Sequence, residues 1–252
     1  MQSLPSNYRE MAEFTNSILF WPSSVREFWL EFPHRPLQNE RLVPENVLNG
    51  ADSDLFSARL RDLSQQLTKI NLTAMIGREL FWPLEAENST SLPYWPNLIE
   101  YSLGLSGITP AGTWLFEENP AEKDDEPYII EDSWQDLPEH LQPPVEDRNA
   151  VLFRTKAAPE LLRDLSLSAG RAAQRMPRLQ RMQLKCHFNR ALHDYDYLVD
   201  GKTASATWGD IIALEPEKDV LAAWRDAAFY HTGVENGIQF RWMVGDNVKH
   251  IA

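Results

Sequence analysis

Acidic and imidazole side chains are concentrated in a short segment in the second half of the chain, which contains His187, His193, Asp194 and Asp196. Imidazole titrates near neutral pH, so a histidine beside a carboxylate can act as a general acid or base. With a tyrosine from an earlier segment, the candidate catalytic residues are Tyr101, His187, His193 and Asp196. The alternative is that these are ordinary polar positions at a strand end and a hairpin. Their spacing matches no pattern of metal ligands, so we expect no metal, and we predict no cofactor.

The chain has one cysteine, Cys186, directly before His187. A catalytic cysteine–histidine dyad is disfavoured there, because adjacent residues of a strand point to opposite faces. We therefore expect a buried core thiol at this position. A single cysteine forms no disulfide within the chain, which fits a reducing compartment.

A repeated apolar frame indicates the elements that must position these residues. An apolar residue, two variable residues, an apolar residue, a variable residue and a third apolar residue follow one another, as in the strand of a leucine-rich-repeat unit. The frame occurs at Val25-Phe28-Leu30, Leu67-Ile70-Leu72, Leu98-Tyr101-Leu103 and Leu179-Met182-Leu184. It predicts neighbouring parallel strands in chain order, at residues 25–32, 67–73, 98–105 and 179–188. Their central residues should share one buried face: Phe28, Ile70, Tyr101 and Met182.

Helical patterns alternate with the predicted strands. Apolar residues recur at helical spacing over residues 8–19, 56–67, 159–175 and 216–231. Asp52 or Ser53 is expected to cap the second helix, because such side chains accept hydrogen bonds from free backbone N–H groups. Helices that alternate with strands are typical of a parallel sheet with helices on one side.

The third and fourth frames are further apart than the others, which indicates an insertion at about residues 107–158. Its middle part, residues 117–142, is rich in carboxylates and prolines. The ordered ligand positions and central glycine of an EF-hand calcium loop are missing. We predict that residues 117–142 are the least regular part of the chain.

The pattern changes after the fourth frame. Asp200-Gly201 lies between two strand-like runs and predicts a two-residue hairpin turn of type I′. A helix and then a strand of alternating type, residues 238–244, follow. The predicted fold is α/β: an irregular leucine-rich-repeat-like parallel sheet with helices on one face and a mixed C-terminal cap of hairpin, helix and strand. We treat residues 1–252 as one domain, with the repeat-like sheet at about 8–188 and the cap at 189–252.

The variable positions inside each frame face away from the apolar side of the sheet. They mix both charges with one aromatic residue, so they suit a polypeptide or a polar small molecule better than a lipid. The alternative is a plain solvated face, or one covered by the insertion. These candidate partner-binding positions are Glu27, Trp29, Lys69, Asn71, Glu100, Ser102, Arg181 and Gln183.

Charge and hydropathy exclude several classes of partner. The formal net charge is -13 and no basic stripe is present, so nucleic acid and anionic membranes are poor partners. No apolar run reaches the length of a membrane-spanning helix. The first residues lack the basic and apolar regions of a signal peptide. We predict a cytoplasmic protein of unspecified oligomeric state.

Several short segments, in this order, resemble a known family: LFWPSSVREF at residues 19–28, WPNL at 95–98, PAGTWLF at 110–116, FRT at 153–155 and AAQRMPRL at 172–179. Together they make the chain similar, over about residues 8–232, to a large family of fungal F-box-type proteins with a degenerate leucine-rich-repeat region. The resemblance implies substrate reception for a ubiquitin ligase. The segment before the first predicted strand is too short for an F-box helical bundle, so we expect a chain that lacks its F-box.

Two functions are compatible with these patterns. The first is a recognition or scaffold module, for example a ubiquitin-ligase-type substrate receptor without its F-box. The alternative is a stand-alone small-molecule enzyme of fungal metabolism, such as an isomerase, cyclase or hydrolase, with a pocket at the C-terminal ends of the parallel strands. An enzyme requires a closed, mostly apolar pocket with a few convergent polar groups, whereas a receptor presents a wide, open surface.

Overall fold

A computed structural model describes residues 6–32, 39–48, 50–83, 92–121, 128–129, 149–188, 191–210, 215–244 and 247–251. Its strands are β1 Glu27–Glu31, β2 Lys69–Ala74, β3 Glu100–Leu105, β4 Phe116–Glu118, β5 Tyr128–Ile129, β6 Asn149–Ala150, β7 Arg154–Ala157, β8 Arg181–Phe188, β9 Ala191–Asp200, β10 Thr203–Asp210, β11 Ile238–Val244 and β12 Asn247–Ile251. Its helices are α1 Ser6–Ser17, α2 Leu55–Ser64, α3 Pro159–Ala173 and α4 Lys218–Thr232, with short 3-10 helices at Ile18–Phe20 and Arg78–Leu80.

The four repeated frames form neighbouring parallel strands, as the sequence predicts. β1, β2, β3 and β8 pair in that order, and one row of the register joins their central residues. Those residues are buried on the side that carries the helices: Phe28, Ile70, Tyr101 and Met182. The prediction of an α/β fold with a mostly parallel sheet and helices on one face is therefore confirmed.

Two of the helices begin at residues that suit a helix N-terminus. The cap of α2 is Asp54, whose carboxylate accepts a hydrogen bond from the backbone N–H of Phe56 at 3.0 Å. The prediction of Asp52 or Ser53 as the cap was wrong, because neither residue directly precedes the first turn. Pro159 opens α3, where its missing N–H leaves no donor unpaired.

The C-terminal half turns the sheet antiparallel. β8 pairs with β9 and β9 with β10 in antiparallel fashion, α4 returns the chain to a parallel β11, and β12 forms the far edge. The predicted I′ turn centred on Asp200-Gly201 was wrong by one position. Asp200 remains in the ladder opposite Thr203, so Gly201 and Lys202 form the loop. Of these two loop residues, only Gly201 has a positive φ, of 60°, which is the pattern of a type II′ turn.

His231, in the last turn of α4, connects three elements of this half. Its Nδ1 accepts a hydrogen bond from the Tyr197 hydroxyl at 2.8 Å, and its Nε2 donates to the carbonyls of Ala173 and Met176 at 3.1 and 3.0 Å. Burial lowers the pKa of His231, so the neutral tautomer fits this arrangement. The imidazole thereby fixes α4 against β9 and the end of α3.

The insertion contains paired strands that the sequence did not predict. β4 pairs with β7 across a bulge, and β5 pairs with β6. Glu117 and Glu118 lie in β4 and form ion pairs with Lys156 and Arg154 at 3.0 and 3.3 Å. For these two residues the prediction of irregular structure was wrong, because the partner strand is distant in sequence. Residues 122–127 and 130–142 of the predicted irregular segment lie outside the described residues.

In the part of the chain that the structure describes, no helix is both long and apolar enough to cross a bilayer.

Candidate functional site

The four candidate catalytic residues do not come together. His187 and Asp196 project from the sheet face on which the described residues place no helix, whereas Tyr101 and His193 are buried on the helix side. Residues of β9 alternate between the two faces, so His193 follows Tyr195 and Tyr197 into the core and Asp196 does not. A site that uses all four side chains is therefore not formed.

Tyr101 has the surroundings of a core residue. Its side chain is 1% exposed, and the ring of Phe81 lies 5.3 Å away between centroids. Burial raises the pKa of the Tyr101 hydroxyl well above its ordinary value, so it carries no charge at neutral pH. His193 lines a narrow cavity of about 30 Å³ together with Trp208 and Ser166.

Cys186 is buried, as expected from its position on β8. Burial raises the pKa of its thiol to about 12, so the nucleophilic thiolate is disfavoured. His187 points the other way and is exposed. The structure thus separates the two side chains that a dyad would need.

His187 forms a pair with Asp194 on the open side of the sheet, with its Nε2 2.8 Å from Oδ1. The histidine also lines a cleft of about 150 Å³ beside Thr73, Ser106 and Gly107, at the carboxyl ends of the parallel strands. This is the end of the sheet where the sequence placed a possible pocket. The cleft is smaller than a typical ligand site of about 300 Å³ or more.

Asp196 is held by Arg181. The guanidinium donates from Nε to Oδ1 at 3.2 Å and from Nη2 to Oδ2 at 2.8 Å, which is a two-pronged ion pair. This hydrogen bond to Asp196 raises the pKa of Arg181 above its ordinary value. The pair engages both carboxylate oxygens of Asp196.

The eight candidate partner-binding residues, in contrast, all lie on one continuous surface. The register joins Glu27, Lys69, Glu100 and Arg181 in one row across the sheet, and Trp29, Asn71, Ser102 and Gln183 in the next row. We call the sheet face that contains these rows the open face. The antiparallel strands extend the second row through Asp196, one of the catalytic candidates, and through two positions not singled out from the sequence, Thr207 and Arg241.

Charges alternate along the first row. Lys69 Nζ lies 3.0 Å from Glu100 Oε1, and this hydrogen bond raises the pKa of Lys69. Both side chains are partly exposed, so water screens the attraction and the pair can exchange partners readily. Trp29, at the end of the second row, is 71% exposed.

A larger cavity, of about 340 Å³, was not found by sequence reasoning. It lies on the helix side, beyond the carboxyl ends of β2 and β3, and its walls are mainly apolar. Its charged lining residues come from three separate segments: Asp54, Arg78, Glu79 and Asp164. These segments share no sequence motif, and Asp54 was not among the residues predicted to cap α2, so no sequence pattern pointed to this cavity.

Asp54 is a buried acid in the wall of this cavity. Burial raises its pKa above the ordinary value, the nearby charge of Glu79 adds to the effect, and a hydrogen bond from Ser57 opposes it. At one side of the cavity, Arg78 Nη1 lies 3.1 Å from Asp164 Oδ2. The described residues contain no group of three or more His, Cys, Asp or Glu side chains able to hold a metal ion.

One family model is similar to part of the chain. Residues 149–248 match a family of unknown function, DUF6546. The match covers less than half of the chain and extends from β6 into β12, so it includes the antiparallel half of the sheet and omits β1 to β3. No curated protein and no solved structure is similar enough to the chain to count as a match.

Proposed function

We propose that this protein is a recognition module that binds a polypeptide partner on its open face. The observation that carries the proposal is Trp29, a tryptophan that is 71% exposed within a row of polar side chains, on a sheet face that no described helix covers. Tryptophan supplies large contact area at low entropic cost and is enriched among the residues that dominate binding energies. Serine and carboxamide side chains in the same row can donate to and accept from a partner's main chain.

The dimensions of the open face fit a protein partner. Eight strands, about 4.8 Å apart and about 17 Å long, give a surface of roughly 600 Å². A standard interface buries about 800 Å² on each partner, so this face supplies most of one side. Substrate reception for a ubiquitin ligase, which the family resemblance implies, is one form of such recognition and stays a proposal.

Peptides selected from a random display library against the immobilised protein test this function. Trp29→Ala is expected to weaken the binding of the selected peptides by about 30-fold, because a tryptophan that anchors an interface contributes about 2 kcal/mol. Fluorescence polarisation of the labelled peptides measures the change. Phe229→Ala is the matched control, since Phe229 is 55% exposed on α4 at the other side of the sheet. If Phe229→Ala weakened binding of the selected peptides and Trp29→Ala did not, the binding site would have to lie outside the open face.

A small-molecule enzyme is the second candidate, and the cavity of about 340 Å³ favours it. Ligand pockets start near this size and combine apolar walls with a few polar groups. In such a pocket, Asp54, whose pKa burial raises, and Glu79 are two neighbouring carboxyl groups that could divide acid and base roles. Isomerases, cyclases and hydrolases all use acid–base pairs of this kind.

A thermal-shift screen against a metabolite library tests the cavity. Ala111→Trp, which fills the space, should abolish any increase in Tm that a compound gives the wild type, because only a bound ligand stabilises the folded state. Ala222→Trp, on an exposed position of α4, should keep the increase. Asp54→Asn keeps a helix cap, so it should retain binding while slowing turnover of that compound by about 100-fold or more. Equal Tm increases in wild type and Ala111→Trp would exclude the cavity.

A further inference from the structure

We infer that the outer edge of β1 accepts an extended peptide as an additional strand, and that this peptide alternates basic with apolar residues. The inference rests on the proposed recognition function and names the class of partner. β1 is the terminal strand of the eight-stranded sheet, and among the described residues its only strand partner is β2. Addition of a peptide strand to a free sheet edge is a common mode of peptide recognition.

On this edge the backbone of β1 presents hydrogen-bonding groups that pair with no other strand of the described residues. Arg26 C=O accepts from Lys69 N–H, and Phe32 N–H donates to Thr73 C=O, so the even-numbered residues face β2. In a parallel ladder the alternate residues direct their N–H and C=O groups to the opposite edge. The outward groups of β1 therefore belong to Glu27, Trp29 and Glu31, and all three residues are exposed.

The side chains along the edge select a basic partner. Glu27 and Glu31 flank Trp29 on the open face, so an added strand places its own side chains directly opposite these three residues. Lysine or arginine opposite each carboxylate forms an ion pair, and a cation opposite the indole gains a cation–π contact. The net charge of -13 further favours encounter with a basic segment.

The helix side of the same edge accounts for the apolar positions of the peptide. Leu19 and Phe20 are 55% and 85% exposed, and they immediately precede Trp21, whose ring packs 5.4 Å from that of Phe28 on β1. Alternate side chains of an added strand point towards this side of the sheet. Apolar residues at those positions can cover the exposed side chains that precede β1.

The same carboxylates disfavour a second copy of the chain as the occupant. Antiparallel pairing of two β1 strands centred on Trp29 places each Glu27 opposite a Glu31, and like charges directly opposite destabilise a strand pair. Charged side chains are a common means of protecting an edge strand from self-association. β1 has no proline and its pairing with β2 shows no bulge, so a complementary strand meets no backbone obstacle.

A charge-swap experiment tests the partner class. The probes are a labelled heptapeptide that alternates lysine with valine and a matched peptide with glutamate at the lysine positions. The double variant Glu27→Lys, Glu31→Lys is expected to lower the affinity for the lysine peptide by about tenfold and to raise the affinity for the glutamate peptide. The control is Asp226→Lys with Glu235→Lys, which changes the net charge equally at exposed positions outside the sheet edge. Equal effects in both double variants would show that net charge alone determines which peptide binds, and would overturn the inference.

Backbone methylation of the lysine peptide tests strand addition itself. Methyl groups on one alternate set of amides should abolish binding and those on the other set should not, because only one set faces β1. Loss with both sets or with neither overturns strand pairing. Dimers of the wild type in sedimentation experiments, with no peptide binding, would assign the edge to a second copy. Display-selected peptides that need Trp29 but are insensitive to the charge swap and to methylation would overturn this inference and leave the proposed function standing.

Discussion

Replacing Trp224 with alanine is expected to lower the free energy of unfolding by about 3–5 kcal/mol, one of the largest effects of any single substitution in this chain. The indole is fully buried, and its ring centroid lies 4.6 Å from that of Tyr195 and 4.9 Å from that of Tyr197. It fills the space between α4 and β9, and its Cε2 would lie 3.3 Å from a methyl group placed on Gly170 of α3. Removal leaves a cavity that three packed elements cannot close.

Urea denaturation followed by circular dichroism measures this loss. Within the described residues the indole N–H has no hydrogen-bond partner, so Trp224→Phe sacrifices only volume and should cost less than Trp224→Ala. Phe229→Ala, one turn further along α4 and 55% exposed, should change stability by about 0.5 kcal/mol or less. An equal loss for Trp224→Ala and Phe229→Ala would contradict a core role for the indole.

Glu40→Ala is expected to cost about 3 kcal/mol, because it leaves two backbone donors without their charged acceptor. The Glu40 carboxylate is 1% exposed and accepts hydrogen bonds from the N–H groups of Phe153 and Arg154, each at 2.5 Å. These bonds connect the segment that follows β1 to the entrance of β7. The same segment continues to Leu48, which lines the cavity of about 340 Å³.

Two further variants separate the hydrogen bonds of Glu40 from its charge. Glu40→Gln retains an acceptor oxygen and should lose less stability than Glu40→Ala in the same urea titration. Glu45→Ala removes an exposed carboxylate from the same segment and should be nearly neutral. If Glu40→Ala were as stable as Glu45→Ala, the anchoring of this segment would have to come from other contacts.

The strand frames were predictable because alternation fixes which side chains are buried. Phe28 and Tyr101 occupy the same frame position and share the core, as that position requires. The same rule should have removed Tyr101 from the catalytic candidates, since a central frame residue faces the helices. His193 was misjudged because β9 begins at Ala191, four residues before the strand-like run that the sequence shows from Tyr195. His193 lies two residues before Tyr195 in the same strand, so both side chains point to the buried face.

Long-range contacts account for what the sequence did not reveal. β4 finds its partner β7 only after a stretch of some forty residues, and no local pattern signals such pairing. The cavity near Asp54 is likewise assembled from a helix cap, a 3-10 helix, a loop and α3. Strand-to-strand neighbours could be inferred from repeated frames, whereas contacts between unlike elements depend on the completed packing.

The register of the sheet fixes the position of every residue on the open face. Each exposed position has a fixed row and column, and its immediate chain neighbours, such as Phe28 beside Trp29, belong to the opposite, helix-covered layer. Replacing Ser102 with another polar residue therefore changes one position of the open face and leaves the buried, helix-covered side of the sheet unchanged. Substitutions at open-face positions can therefore change the chemistry of this surface while the buried residues at alternate positions stay the same, so the stability of the fold stays nearly constant.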